Sequence, residues 1–249
     1  MKKNLLGTGG RIWASGIFLF ILRMGQNRTG FDAETGLSLP SLPGKLLVGV
    51  LIFLFVAEFV LSRRQSKEKR PFADAFSPPG KLLTALIIGI MLLIAGGLLS
   101  VMDTMSAQLT GAGRIAWIAA SAMAVFSGAG LLVLVKKWNA GDELSVAPLL
   151  PTIFFGVFFV LAVYLPRVSD PVYARFYLQV LAAAMVAYAF SQLTGFLRGE
   201  SSRRSFIWIA ELAVMTSIAA MADGGQGQTL LFGGCALVLS VFLLLAKGD

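Results

Sequence analysis

The sequence predicts an all-α fold, a polytopic transmembrane helical bundle forming one domain over residues 1–249, and three observations carry that expectation. Of its 249 residues 57% are hydrophobic and only 14% charged, with a mean hydropathy of +0.80, whereas soluble domains are about 45–50% apolar. Apolar runs near or above the roughly 20 residues that cross a hydrocarbon core recur along the whole chain. The lysines and arginines, finally, alternate between connections so that most fall on one side.

Eight spans are expected, at about 10–26, 44–62, 82–102, 113–135, 146–165, 174–197, 204–222 and 228–246. The first is the weakest. Arg11 and Arg23 leave only "IWASGIFLFIL" between them, too short to cross unless both side chains snorkel to the interfaces, so a seven-span version stays open. Lys2 and Lys3 before an apolar run resemble the start of a signal peptide, but no small-residue cleavage site follows and "RMGQNRTG" is charged and polar; an uncleaved first helix is expected.

With the N-terminus in the cytoplasm, 15 of the 21 Lys and Arg residues face that side, in the stretches before and just inside the first span, between the second and third, and after the fourth, sixth and eighth. Arg23, Arg28, Lys45, Arg114, Arg167 and Arg175 face the other. This places both termini in the cytoplasm. The formal net charge of +8 then reports topology, and no nucleic-acid partner is implied.

Between the first two spans lies "TGFDAETGL", residues 29–37, with Asp32 and Glu34 one residue apart. Gly30 and Gly36 bracket it, and Asp32 can accept from nearby backbone amides, so a turn is expected rather than a two-carboxylate site or a calcium loop, whose further oxygen ligands are missing. "PGKLL" then opens the second span at 43–47 and recurs at 79–83 before the third, read as helix-start grammar rather than as an inverted repeat. The basic cytoplasmic loop 63–81 carries six cations and two anions and is expected to be a solvated, topology-setting segment, with Phe72 and Phe76 free to dip into the interface and its cations able to attract anionic lipid.

Two later spans carry small residues every fourth position: Ala116, Ala120, Ala124 and Gly128 in the fourth, and Ala183, Ala187, Ser191 and Gly195 in the sixth. That spacing keeps them on one helical face, where another backbone can approach closely, so both are expected to be helix-packing faces. Pro148 and Pro151 fit the first turn of the fifth span. Trp13, Trp117, Trp138 and Trp208, with Tyr164, Tyr173 and Tyr177, fall near span ends as interfacial aromatic belts do. Asp103, Arg114, Arg175 and Asp223 also sit at span ends, where water solvates charge.

Histidine is absent, which removes the commonest metal ligand and the usual general base near neutral pH. Neither a metal nor a cofactor is implied. No glycine-rich phosphate loop is present, and the single cysteine, Cys235, lies in "LLFGGCALVL", where a buried inert thiol is expected. Charges inside the apolar layer are costly and are usually paired or functional. Glu58 and Glu211 fall roughly 7 and 10 Å inside the cytoplasmic boundary, counting from Arg63 and Arg204, and Gln192 reaches a similar depth. These three are the candidate intramembrane polar site: either they face one cavity where a carboxylate binds a cation or proton, or each glutamate pairs with a loop cation and fixes packing.

The segment "GFDAETGL" after a first apolar helix resembles a recurring opening in uncharacterised multi-pass bacterial membrane proteins. The resemblance covers about the first 60 residues and implies no activity. The expected function is that of a non-enzymatic membrane subunit, scaffold or regulatory partner in a bacterial plasma membrane, in contact with the lipid bilayer and with a protein partner. A small-solute or ion transporter using Glu58 and Glu211 is the alternative.

Overall fold

The computed structural model describes residues 2–32, 34–106, 111–164 and 176–247. Arg167, Tyr173, Arg175 and the adjoining ends of the fifth and sixth expected spans lie outside the described residues. In chain order the helices are α1 (Lys2–Thr29), α2 (Leu42–Ser62), a single turn α3 (Phe72–Ala75), α4 (Leu83–Ser106), α5 (Gly111–Ala140), α6 (Leu150–Tyr164), α7 (Tyr177–Leu197), α8 (Arg203–Ala220) and α9 (Gln226–Leu245). Eight of the nine correspond to the eight expected spans.

Local chemistry sets several of the helix ends. Ser41 and Ser202 cap α2 and α8, their hydroxyl oxygens accepting from the backbone N–H groups of Gly44 (3.2 Å) and Ser205 (3.4 Å). The residue closing α7 is followed by Gly199 at φ +72°, a left-handed turn that sends the N–H of Glu200 back to the carbonyl of Gly195 at 2.8 Å. Gly141, at φ +75°, plays the same part after α5.

Among the described residues, six helices are long and apolar enough to cross a membrane: α2, α4, α5, α6 with the turn before it, α7 and α9. The two long helices outside that set, α1 with Arg11 and Arg23 and α8 with Glu211, pack against each other. The remaining contacts close a ring. Each helix from α4 to α9 packs on its successor, and α9 returns to α4; α1 and α2 attach outside this ring, on α8. Aromatic rings fill the middle: Phe159 of α6 meets Trp117 of α5 at 5.1 Å and, across the ring, Phe232 of α9 at 5.3 Å, both edge to face.

A long close seam joins α4 to the antiparallel α9. Gly89 and Gly96 on one helix and Gly227 and Gly234 on the other let the backbones nearly touch: a Cβ at Gly96 would stand 2.5 Å from the amide nitrogen of Leu231, and one at Gly234 would stand 2.8 Å from the carbonyl oxygen of Gly89. The two expected packing stripes sit on neighbouring seams. Ala116, Ala120, Ala124 and Gly128 are all buried, and Gly128 lies against Ile94 and Ile90 of α4. Ala183 and Ala187 lie under Gly156 of α6. Further along α7 the stripe leaves that seam, because Ser191 and Gly195 are only half-buried and Gly195 packs on Ser201 of the α7–α8 turn.

The start of α1, the end of α2, residues 63–81 and the end of α9 gather at one end of the bundle, here called the basic end. Residues 63–81 keep Arg63, Arg64, Lys67 and Lys69 exposed there, but the segment is tied down. The segment lies across the helix ends as a strap: the Arg70 N–H donates to the Ser201 carbonyl, the Ser77 N–H to Leu245, and the Lys247 N–H to Ala75. Phe76, 1% exposed, is enclosed edge to face by Phe196, Phe206 and Phe242 from three different helices, and Phe72 sits between Phe76 and Trp138. The strap's phenylalanines therefore fill a protein interior instead of dipping into lipid. The tryptophan expectation needs the same correction. Trp117 and Trp138 are core residues, 8% exposed each, because the rings of Phe159, Phe72 and Phe242 surround them.

Candidate functional site

Charge inside the bundle is concentrated on α1 and its neighbours, in two clusters. Towards the basic end, Arg11 of α1 lies between Glu58 of α2 and Glu211 of α8. Its Nη2 donates to Glu58 Oε2 at 3.0 Å and reaches both carboxylate oxygens of Glu211 at 3.5 Å, the long limit of a hydrogen bond. The two carboxylates are deeply buried, with side chains 3% and 5% exposed, whereas the arginine side chain is 41% exposed. One guanidinium thus serves two carboxylates brought from helices far apart in sequence. Close by, the indole N–H of Trp13 donates to Ser240 of α9 at 3.1 Å, tying α1 to a second helix of the ring.

The geometry brings together two of the three expected polar residues. Gln192 belongs elsewhere: its Oε1 accepts from the Ser201 hydroxyl at 3.3 Å, inside the α7–α8 turn. Arg11, expected only as a snorkelling residue at the start of the first span, takes the third place instead. Arg63 and Arg204, which mark the cytoplasmic boundary from which the depths of the two glutamates are counted, stack on Phe59 with guanidinium carbons 5.0 and 5.9 Å from the ring centre.

The second cluster, at the opposite end, was not anticipated. Arg23 is fully buried and forms an ion pair with Asp223, just beyond the end of α8, Nε to Oδ1 at 2.5 Å. Gln26 Oε1 accepts from Arg23 Nη1 and from the Tyr177 hydroxyl, and Asn27 Nδ2 donates to both Asp223 Oδ1 (2.9 Å) and the Ala222 carbonyl (3.0 Å). The rings of Tyr177 and Phe31 cover the guanidinium at 5.0 and 5.4 Å. Arg23 does not snorkel and Asp223 is not solvated, because each neutralises the other inside the protein.

The turn "TGFDAETGL" adjoins this cluster and supplies Phe31 to it. Asp32 Oδ1 accepts from the Thr35 N–H (2.7 Å), the Thr35 hydroxyl (2.8 Å) and the Glu34 N–H (3.1 Å). Those donors, Thr35 above all, hold the Asp32 carboxyl below the usual carboxylate range. Phe31 pairs with Ser38 across the turn, and Gly36 takes φ +67° at its corner. The expected Asx-type turn is what forms, with both carboxylates used locally or left in solvent.

Arg11 and Arg23 lie twelve residues apart on α1, about 18 Å, and their partners Glu211 and Asp223 are twelve apart as well. Equal spacing matches two helices running in the same direction, joined near both ends. The arrangement can neutralise charge in the apolar layer, fix the register of α1 on α8, and hold one proton or small cation where Glu58 and Glu211 share Arg11. Comparison with protein-family models, curated proteins and solved structures finds no match to this chain.

Proposed function

We propose that this chain is a non-enzymatic subunit, scaffold or regulatory partner within a bacterial plasma membrane. One observation carries the reading: the buried charges of α1 and its neighbours are spent on one another, with Arg23–Asp223 and Arg11–Glu211 joining α1 to the ring of six and Arg11–Glu58 joining α1 to α2. Side chains consumed in this way hold a shape rather than turn over a substrate. The charge bias and short connections support the bacterial plasma membrane as its location.

A second reading, ion or proton transport, is favoured by the carboxylate excess at Arg11. Two carboxylates against one guanidinium leave one negative charge unbalanced unless a proton or cation joins them. Gentle crosslinking of the tagged protein in its native membrane, followed by mass spectrometry of what co-purifies, separates the two. A stoichiometric protein partner is the expected result. Recovery of the protein alone overturns the subunit reading, and Glu211→Gln is then tested for loss of ion-dependent uptake.

A further inference from the structure

The strap and the α7–α8 turn are more than 120 residues apart in sequence, and the fold lays one on the other. Lys69 pairs with Ser202 as an antiparallel bridge, the Arg70 N–H donates to the Ser201 carbonyl at 3.3 Å, and the Arg204 N–H donates to the Ser66 carbonyl at 3.2 Å. Two basic stretches therefore become one surface, on which Arg63, Arg64, Lys67 and Lys69 stand beside Arg198 and Arg204. The carboxylates of the two stretches are Glu68, which is taken up by Arg70 at 2.8 Å, Asp74 in the turn of α3, and Glu200.

Within this surface two guanidinium groups converge on one ring. Arg63 and Arg204 both lie over Phe59, which meets Trp208 edge to face at 5.5 Å. Among the described residues neither arginine forms an ion pair with a carboxylate. Phe59 is 39% exposed, and the face of α2 below it continues outward through Val56, Phe53 and Ile52, all more than half exposed. Cations thus sit directly above a strip of apolar side chains that faces away from the bundle.

We propose that this site binds an anionic phospholipid, with Arg63 and Arg204 gripping the headgroup phosphate over Phe59 and an acyl chain lying along α2. Guanidinium groups suit phosphate because their planar donors match its oxygens. A phospholipid fits better than a soluble polyanion because the cations stand at the top of a lipid-facing helix, so one molecule satisfies the charge and the apolar strip together. Other cations of the patch add attraction that salt screens.

The test uses the purified full chain in detergent, with its melting temperature followed as phosphatidylglycerol, phosphatidylcholine or inorganic phosphate is titrated in. Expected is a saturable rise with phosphatidylglycerol that neither of the other two reproduces and that high salt weakens. In R63Q/R204Q the midpoint of that titration moves up by about tenfold or more, while R63K/R204K keeps part of the response. An equal response to phosphatidylcholine overturns the proposal in favour of apolar contact alone, and an equal response to inorganic phosphate overturns it in favour of a free anion. Should R63Q/R204Q fail to fold, R63K/R204K is read instead, its titration midpoint expected above that of the wild type. A phosphatidylglycerol response left unchanged in the variant measured overturns the site.

Discussion

At the scale of single residues, Arg23 shows what a linear reading of charge can miss. Seen alone, an arginine inside an apolar run weakens the case for a span, and it weakened the first one here. The structure supplies the missing partner from position 223, where Asp223 had been assigned to water. Breaking a buried pair from one side strands the other charge and costs about 3–5 kcal/mol, whereas replacing both partners by apolar groups of similar size is often neutral. Arg23→Leu is therefore expected to lower the melting temperature of the purified protein sharply, and Arg23→Leu/Asp223→Leu to recover much of the loss. A double variant no better than the single would show that Gln26, Tyr177 and Phe31, rather than charge neutralisation, set the value of Arg23. Glu58 and Glu211 were legible because an intramembrane carboxylate stands out in any sequence. Arg11 was not legible as their partner, because nothing in the local sequence records which helix α1 will lie against.

At the scale of helices, the helix positions were legible nearly end to end, since apolar length and charged flanks are local properties. Which faces meet was legible only where the spacing was four. Small residues at 116, 120, 124 and 128 do lie on a packed face, but the α4–α9 seam uses glycines seven apart, 89 with 96 and 227 with 234. Seven residues are close to two helical turns, so this pair returns to the same face with ordinary residues between. Within the membrane, where apolar surface alone does not drive helices together, such close backbone contact supplies the dispersion that does. Gly96→Ala would place a methyl 2.5 Å from the Leu231 amide nitrogen, and backbone on both sides leaves nothing flexible to move. It is expected to destabilise by about 1–3 kcal/mol, the usual cost of overpacking. Gly49→Ala is the matched control: it is also a helix-interior glycine, but a Cβ there meets nothing within 4 Å. It is expected to be neutral or to stabilise slightly through helix propensity. Equal melting temperatures for the two variants would show that the α4–α9 contact is looser than these distances imply.

At the scale of the whole molecule, the ring of six helices is closed at the basic end by a segment that looks, in sequence, like the least structured part of the chain. Residues 63–81 are rich in cations and prolines, and their two phenylalanines have only alanines and prolines as apolar neighbours, too little to betray a buried position. What buries them is assembled from afar. Trp138 comes from α5, Phe196 from α7, Phe206 from α8 and Phe242 from α9, so the pocket exists only once the ring has formed. This orders the dependence in one direction: the strap needs the ring, while the ring's own seams are made between helices. Phe76→Ala removes the central side chain of the plug and should cost about 3–5 kcal/mol, as large-to-small changes in packed cores do. That loss should fall on the strap first, because the segment is otherwise held by a few backbone hydrogen bonds at the surface. Trypsin added to the basic face of reconstituted vesicles is expected to cut F76A rapidly among residues 63–70 and the wild type slowly, with the helices intact in both. Rapid cleavage of the wild type would mean that the strap opens freely whatever Phe76 contributes. Slow cleavage of both would mean that the backbone bonds to Ser201, Leu245 and Lys247 hold the strap without the plug.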